Sequence, residues 1–388
     1  MRGTVAVWGP DLSPFVLKVW ATLEAAGIPY ERLPSQSSRL RSLRLAWRID
    51  RAKRRGTVER WGGRSDLDEY PLVPLLLEGD RHVSYDSTAI ARRLDAEHPP
   101  AAGPLLPAAP VLGFVARLLD EAFDEFGLYM VHHHRWVTSA TTNDAGARLA
   151  RQMRPVLPPG TGRLLARRFS ARQVRRLPYL FSVAPPLRIP GRPAELTPPA
   201  RPRFPPTHAL LDDAWLAYLD AMERRLGVAP YLLGERFTVA DASAYGQLSM
   251  NLTDPTANDR LRARAPRTRA WLVDIRDARH VGSHGDLALH ESLRPLLRVV
   301  AETFVPLMRQ NEAAYDAARA AGETLFNERA FDVGRALYDG EIRGHRFRAV
   351  VKTFQVRVWR DLRQAWRALG EPERRRIDEL AGGLGMPT

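Results

Sequence analysis

The sequence predicts an α/β domain at the N-terminus followed by a larger, mainly α-helical domain. Three observations support this prediction: β-type runs alternate with helical stretches in the first hundred residues, helical periodicity dominates afterwards, and 388 residues are enough for two domains. We expect the first domain at 1–100 and the second at 105–388, with a Pro-rich linker between them.

The first thirty residues predict a β-α-β unit. Residues 4–8 (TVAVW) form a short β-type run, and a helical stretch begins at Ser13-Pro14 and ends at Gly27. Serine before proline suits the N-cap and the first helical position, and glycine suits the C-cap. A second extended segment follows at 28–30.

The rest of the first domain predicts a basic insertion, a β-hairpin and a helix. The insertion covers about 35–69 and is expected to be only partly helical. The run LVPLLLEGDRHVSYDS then combines an apolar strand, a Gly-Asp turn and a second strand. Ser87 begins a helix that reaches the prolines at 99–100.

The second domain is predicted to consist mainly of helices. In order, we expect a helix at about 111–137, an insertion at about 137–206, helices at 207–227, 239–250 and 266–279, and a C-terminal extension at about 290–388. Within the extension we expect a long helix at about 290–327, a hairpin around Asp339-Gly340 and two further helices. Thirteen of the 31 prolines fall between 155 and 206, so the insertion is expected to bury little apolar surface.

The net charge of +14 is concentrated in two stretches. Residues 39–64 hold ten Lys/Arg against two acids, and residues 148–203 hold thirteen Arg against one acid. Arginine binds phosphates and carboxylates bidentately, which leaves a polyanion site open. We nevertheless interpret both stretches as solvated, because no recognition helix or aromatic stacking motif accompanies them, and we do not expect a nucleic-acid partner.

The residue types that are missing exclude several functions. The chain has no cysteine, which excludes disulfides, cysteine-ligated metals and a protein thiol nucleophile. Sulfur chemistry would therefore need a bound ligand. No apolar run reaches 18 residues, and the first thirty residues lack the pattern of a signal peptide. We expect a cytoplasmic protein without a membrane span.

Three local features carry polar groups suited to an anionic or peptide ligand. Ser13 precedes a helix N-terminus, whose free N–H groups stabilise an anion such as a thiolate, and its hydroxyl can donate to the sulfur. If the Val73-Pro74 bond is cis, the backbone of Val73 is free to pair with an extended peptide. Asp86 can hold an ammonium at a helix start, while Ser87 can hold a carboxylate. Each feature alone is also explained by ordinary capping or by an edge strand.

In this order and spacing, the three features resemble the glutathione S-transferase superfamily. SPFVLKVWATLEAAGIPYE resembles its first helix and second strand, VPLLLEGDRHVSYDSTAIARRLD its cis-proline hairpin and third helix, and ERFTVADASAY a buried helix start in its helical domain. The resemblance covers about 1–30, 70–98 and 207–280. It implies a thioredoxin-like N-terminal domain and a helical C-terminal domain, both enlarged here by insertions.

The resemblance implies a role for each matching position. Ser13 would activate the sulfur of glutathione or of another low-molecular-weight thiol, which would be the co-substrate. Val73, beside cis Pro74, would pair with the cysteinyl unit, and Asp86 and Ser87 would hold the γ-glutamyl end. The segment between the second strand and the cis-proline is longer and more basic than in the family, so the contact to the glycine end is not assigned.

The resemblance also implies a second-substrate pocket for a small-molecule electrophile. The side chains expected to line it are Tyr129, His132, His133 and Trp136. Adjacent helical residues point about 100° apart, so consecutive histidines do not converge on one ion, and no metal is expected. Thr238 and Asp241 would form a structural capping box.

Three functions remain open at this point. The first is an enzyme that transfers the thiol to an electrophile or uses it to transform one, which Ser13 together with Asp86-Ser87 favours. The second is a non-catalytic member of the fold that binds a partner, as metaxin-like relatives do, which the large insertions favour. The third is nucleic-acid binding through the arginine-rich stretches. The resemblance also allows a homodimer.

Overall fold

The structure is a computed structural model that describes residues 5–69, 72–79, 82–186 and 191–387. The Gly-Asp turn expected between the hairpin strands extends beyond the described residues at Asp80. The predicted fold class is confirmed: a thioredoxin-like α/β domain precedes a mainly helical domain. Within these ranges, no helix has both the length and the apolar character needed to cross a membrane.

The N-terminal domain is a four-stranded sheet with three helices. Its elements are β1 Val5–Trp8, α1 Pro14–Ala25, β2 Tyr30–Leu33, α2 Arg39–Arg54, β3 Leu75–Glu78, β4 His82–Ser84 and α3 Ser87–Glu97. The strand order is β2-β1-β3-β4, in which β1 is parallel to β2 and β3 is antiparallel to both of its neighbours. The loops before α1, α2 and α3 and the start of β3 therefore share one edge of the sheet.

The C-terminal domain is helical apart from one hairpin. Its elements are α4 Pro110–Ala122, α5 Leu128–His133, α6 Ala145–Gln152, α7 Gly162–Arg175, α8 His208–Leu226, α9 Val239–Leu248, α10 Pro255–Arg264, α11 Pro266–Arg276, α12 Arg294–Glu302, α13 Phe304–Ala320, α14 Asn327–Val333, β5 Leu337–Ile342, β6 His345–Val350, α15 Thr353–Arg367 and α16 Glu371–Ala381. Helices α4 and α5 together form the long helix expected at 111–137. One π-helical turn, Phe123–Gly127, joins them, and a second, His134–Thr138, follows α5.

The two domains meet where α1 packs against α9. Gly246 allows this close approach, because a Cβ there would lie 2.5 Å from the carbonyl oxygen of Pro14. On α1, the fully buried Lys18 lies 2.6 Å from Asp120 Oδ1 and 2.7 Å from Asp124 Oδ2. A salt-bridged cluster therefore fixes the N-terminal domain to α4 and to the π turn that follows it.

The prediction that the insertion at 137–206 buries little apolar surface is wrong. Val174, Leu177 and Phe181 are each at most 3% exposed. Val174 and Leu177 pack with Leu12 and Trp136, while Phe181 belongs to the main core of the helical domain. The high proline and arginine content led to the wrong prediction, because it gave no weight to these few apolar residues. They are the buried positions of α7 and of the turn after it.

The long helix expected at 290–327 is two helices. The break falls at Thr303, whose φ of −123° and ψ of −70° are not helical. The Thr303 hydroxyl donates to the carbonyl of Val299 at 2.6 Å and lies 3.1 Å from the Tyr218 hydroxyl. Proline has no N–H to donate to the carbonyl four residues back, so Pro306 accounts for the end of α12 at Glu302, and this sequence signal was missed.

The hairpin expected around Asp339-Gly340 is present, but its turn lies further along the chain. The turn is at Arg343-Gly344, where both residues have positive φ, as tight hairpin turns require. Gly340 lies inside β5, where a Cβ would be 2.4 Å from the Phe347 ring. That glycine makes room for an aromatic side chain and does not form the turn.

Candidate functional site

A cavity of about 170 Å³ lies at the loop edge of the sheet, between α3, the π turn after α4, and α15. Its lining combines residues from the two domains: Phe15, Asp68, Glu69, Leu72, Val73, Pro74, Tyr85, Asp86, Ser87, Thr88, Arg92, Glu121, Asp124, Glu125, Phe354, Arg357 and Val358. Four of the five residues expected to bind the thiol are among them. The fifth, Ser13, is not, although Phe15 on the same first turn is.

The cis-proline expected at the start of β3 is confirmed. The Val73-Pro74 bond is cis, and neither the N–H nor the C=O of Val73 makes a backbone hydrogen bond to another described residue. The loop after β1 packs directly against this turn, since a Cβ at Gly9 would be 3.2 Å from Val73 Cβ. Sequence reasoning missed a second cis bond, Leu33-Pro34, at the end of β2.

The hydroxyls of Ser13 and Ser87 have no hydrogen-bond partner among the described residues. Ser13 is the N-cap of α1 with an extended backbone, but its side chain makes no capping hydrogen bond. The capping bond expected from the sequence is therefore absent. Ser87, the first residue of the eleven-residue α3, is 7% exposed and lines the cavity. Both hydroxyls are available to a ligand.

Asp86 does not have a free carboxylate. Its Oδ1 accepts a hydrogen bond from the Ala89 N–H at 3.2 Å, while its Oδ2 accepts from Arg60 Nε at 2.7 Å and from Arg357 Nη2 at 3.0 Å. Burial alone would raise the pKa of Asp86, but Arg357 and Arg60 outweigh it and hold the pKa below its usual range. The carboxylate is therefore ionised and paired with two cations.

The four residues expected to face a second substrate lie away from this cavity. Tyr129 is 2% exposed and accepts a hydrogen bond from Gln355 at 2.9 Å. His132 lies 3.1 Å from Gln173 of α7, and burial lowers its pKa to about 3. His133 and Trp136 are buried beneath the insertion and α8. None of the four is among the described residues that line the cavity.

Sequence reasoning missed the residues that close the cavity. Phe354, Arg357 and Val358 line it from α15 of the C-terminal extension. Arg60, from the basic stretch after α2, is not a lining residue but pairs with Asp86, which is one. No motif identified them, since Arg357 meets Asp86 across 271 positions of the chain. An arginine that follows an apolar residue on an amphipathic helix is an ordinary pattern and carries no signal of its own.

Two other expectations concern structure and metals. At the start of α9, Asp241 makes its half of the expected capping box: its Oδ2 accepts from the Thr238 N–H at 3.0 Å, and it also accepts from the Thr238 hydroxyl at 2.7 Å. Asp241 Oδ1 also accepts from the Leu232 N–H at 2.8 Å, so this carboxylate anchors a second segment.

Over the described ranges, no group of three or more His, Asp or Glu side chains is arranged to hold a metal ion.

Glu125 and Glu121, on the inner wall of the cavity, hold protons more tightly than usual. Burial and the negative charge of Glu121 raise the pKa of Glu125 to about 8, and burial and Asp120 raise that of Glu121 to about 7. Because the pKa of each group is higher in the folded than in the unfolded protein, the protonated form favours folding. This contribution to the free energy of unfolding is fully present below the unfolded pKa of 4.5 and is lost as pH rises through 7 and 8.

We therefore expect Glu125→Gln to stabilise the protein more at pH 8 than at pH 5, because the amide cannot ionise. Melting temperatures of the wild type and the variant across this range measure the difference. The control is Glu371→Gln, at a carboxylate of α16 that is 75% exposed, which should shift the melting temperature equally at both pH values. A Glu125→Gln gain that stays constant or shrinks with pH would contradict the raised pKa.

Two family models match the chain. The model described as the glutathione S-transferase N-terminal domain matches residues 12–97, and the one described as the glutathione S-transferase C-terminal domain matches residues 198–273. The first match spans the loop before α1, the cis-proline turn and α3. The second spans α8 to α11, including the capping box. No curated protein sequence matches the chain.

Several solved structures are similar to parts of the chain. The beta-etherase LigF from Sphingobium sp. strain SYK-6 is 18% identical, with 71% of this chain and 96% of that one covered and a TM-score of 0.42. A glutathione transferase from Phanerochaete chrysosporium is 17% identical over 71% and 98%, with a TM-score of 0.40. FzlA from C. crescentus is 16% identical over 76% and 92%, with a TM-score of 0.36.

Proposed function

Since this chain belongs to the glutathione S-transferase superfamily, we propose that it is an enzyme that binds a low-molecular-weight thiol, glutathione or a relative, and transfers it to a small electrophile. The thiol lies along the loop edge of the sheet, with its cysteinyl unit on the backbone of Val73 and its carboxylate end at Ser87. Its sulfur lies at the N-terminus of α1, next to Ser13.

The free backbone of Val73 beside cis Pro74 is the observation that supports this proposal most. A peptide ligand pairs with a strand end through main-chain hydrogen bonds, which need an unpaired N–H and C=O. At Val73 both groups make no backbone hydrogen bond to a described residue. Ser13 and Ser87, whose hydroxyls have no partner among the described residues, stand at the starts of α1 and α3. The two hydroxyls and the backbone of Val73 therefore lie at the same edge of the sheet, where one extended ligand could bind all three.

The chemistry follows from the charge of the sulfur. The thiol releases its proton to solvent, and the thiolate is stabilised by the N–H groups of the first turn of α1 and by the Ser13 hydroxyl. The sulfur then forms a bond to the electrophilic carbon, and the leaving group departs with the electron pair of its former bond. The protein contributes thiolate formation and positioning.

We expect Ser13→Ala to lower turnover by about 10- to 1,000-fold while thiol affinity changes little, because the hydroxyl acts on the ionised sulfur. The free energy of unfolding should stay within about 0.5 kcal/mol of the wild type, because no capping bond is lost. Steady-state kinetics with a panel of electrophiles, together with urea unfolding, measure both quantities.

Ser38→Ala is the matched control. The Ser38 hydroxyl caps α2 by accepting from the Arg41 N–H at 3.4 Å, so this variant should lose about 0.5–2 kcal/mol of stability and keep full turnover. A Ser13→Ala protein that keeps full turnover would remove the assigned role of Ser13. A panel of thiols that leaves the melting temperature unchanged would remove the thiol site as well, since a bound ligand raises that temperature.

A further inference from the structure

The two basic stretches, which lie far apart in the sequence, meet at one cavity of the folded protein. Arg39 comes from the first stretch, at 39–64, and Arg151 and Arg154 come from the second, at 148–203. All three line a cavity of about 880 Å³ between the start of α2 and the insertion. We call the cavity that these three arginines line the arginine cleft.

The charge in the arginine cleft is of one sign. No acidic side chain among the described residues lines it. Arg39 Nη1 donates to the carbonyl of Leu157 at 2.7 Å, a contact that leaves its charge uncompensated. Arg151 lies 3.2 Å from Asp144, but these side chains are 65% and 54% exposed, so water weakens their pairing. The electrostatic potential in the cleft is therefore positive, which attracts anions.

The guanidinium of Arg154 has its donors free for a ligand. It makes no hydrogen bond or ion pair with any of the described residues. The hydroxyl of Ser37, in the same lining, also lacks a hydrogen-bond partner in the part of the chain that the structure describes. A planar guanidinium and a hydroxyl are the donors that phosphate and carboxylate groups accept from.

The wall of the cleft that carries Arg154 is fixed to the N-terminal domain. Val156 packs against the core cluster that contains Ile49 and Leu33. Gln152 accepts a hydrogen bond from the Asp11 N–H at 2.9 Å. The arginines are therefore held together without a ligand, which lowers the entropic cost of binding one.

The arginine cleft is separate from the cavity assigned to the thiol. No described residue lines both of them. Arg151 and Arg154 also lie outside the segments that the two family models match, 12–97 and 198–273. The cleft therefore depends on the insertion of this chain and not on the matched segments alone.

We propose that the arginine cleft is a second binding site, for a small molecule that carries at least two phosphate or carboxylate groups. Several anionic groups are favoured, because a single one would leave like-charged guanidinium groups facing each other. The volume falls in the range of roughly 300–1,000 Å³ that small-molecule pockets have. No aromatic side chain among the described residues lines the cleft to stack on bases, which favours a small molecule over a nucleic acid.

The test is titration calorimetry at low ionic strength, without divalent cations, using inorganic pyrophosphate and citrate as probes. The wild type should bind at least one of them at a single site, and the tighter one shows whether phosphate or carboxylate is preferred. Arg154→Gln should weaken this binding by about 10- to 100-fold, the range for a hydrogen bond to a charged group. Added NaCl should also weaken it, because salt screens exposed charges.

Arg175→Gln is the matched control. Arg175 is exposed on α7 of the same insertion and does not line the cleft. Its substitution removes the same charge from the same segment, so the affinity for either probe should stay close to that of the wild type. Both arginines are exposed, so both variants should fold, which their melting temperatures verify.

The outcomes also separate the arginine cleft from the thiol site. Pyrophosphate should bind equally well with and without saturating glutathione; displacement would assign the arginines to the thiol site and end the proposal of a second one. No binding of either probe, or equal weakening by Arg154→Gln and Arg175→Gln, would show that the cleft is not a site. Tight binding of a single-stranded oligonucleotide, with neither small probe bound, would replace the small molecule by a nucleic acid.

Discussion

Replacing Lys18 with methionine should lower the free energy of unfolding by about 3–5 kcal/mol, which is the usual cost of removing one partner from a buried ion pair. The Lys18 side chain has no exposed surface, and its ammonium lies between Asp120 and Asp124 and donates to the Thr88 hydroxyl at 2.8 Å. Without it, no other cation among the described residues lies within ion-pair distance of these two carboxylates at the domain interface.

The charge state of this cluster supports the size of the effect. Burial disfavours the charged form of Lys18, but the carboxylates of Asp120 and Asp124 outweigh it and raise the pKa of the amine. The ammonium is therefore retained throughout the working pH range. Methionine has a similar length and no charge, so the loss would come from electrostatics and not from a cavity.

Urea unfolding followed by circular dichroism measures the change. The control is Arg54→Met, which breaks a surface pair with Asp50 at 2.9 Å; the two side chains are 78% and 53% exposed, so the loss should be at most about 1 kcal/mol. Adding Asp120→Asn to Lys18→Met should recover part of the stability. If Lys18→Met cost no more than Arg54→Met, the cluster would not hold the domains together.

The elements of the matched segments could be predicted because local signals set them. Ser13-Pro14 marks the start of α1, Val73-Pro74 the start of β3, and Thr238 with Asp241 the start of α9. In each case a proline or a carboxylate acts on the backbone within a few residues of its own position. Such signals can be recognised in a single sequence because they do not depend on distant parts of the chain.

The side of the cavity that α15 lines could not be predicted, because it depends on contacts between residues far apart in the sequence. Asp86 was expected to be free for an ammonium, and nothing near it in the sequence shows that Arg60 and Arg357 occupy its oxygens. Tyr129 was expected to face a substrate, but Gln355 of α15 covers it. Side-chain partners of this kind follow from tertiary contacts and not from periodicity.

Replacing Phe181 with alanine should cost about 3–5 kcal/mol, the range for deleting a buried aromatic ring. Phe181 is 3% exposed, stacks on Tyr129 with ring centroids 5.3 Å apart, and lies 4.8 Å from the Phe347 ring. These contacts join the insertion to α5 and to the C-terminal hairpin. An insertion that only decorated the surface would not have such a residue.

The control for the Phe181→Ala prediction is Leu164→Ala, in the same insertion but at a side chain that is 50% exposed. Its unfolding midpoint in urea should stay close to that of the wild type, within about 0.5 kcal/mol in free energy. Phe181→Ala should also weaken the site, because Tyr129 and Glu125 share a hydrogen-bond donor, the side-chain amide of Gln355. We therefore expect lower thiol affinity in Phe181→Ala but not in Leu164→Ala. Equal and small effects of both substitutions would show that the insertion is dispensable after all.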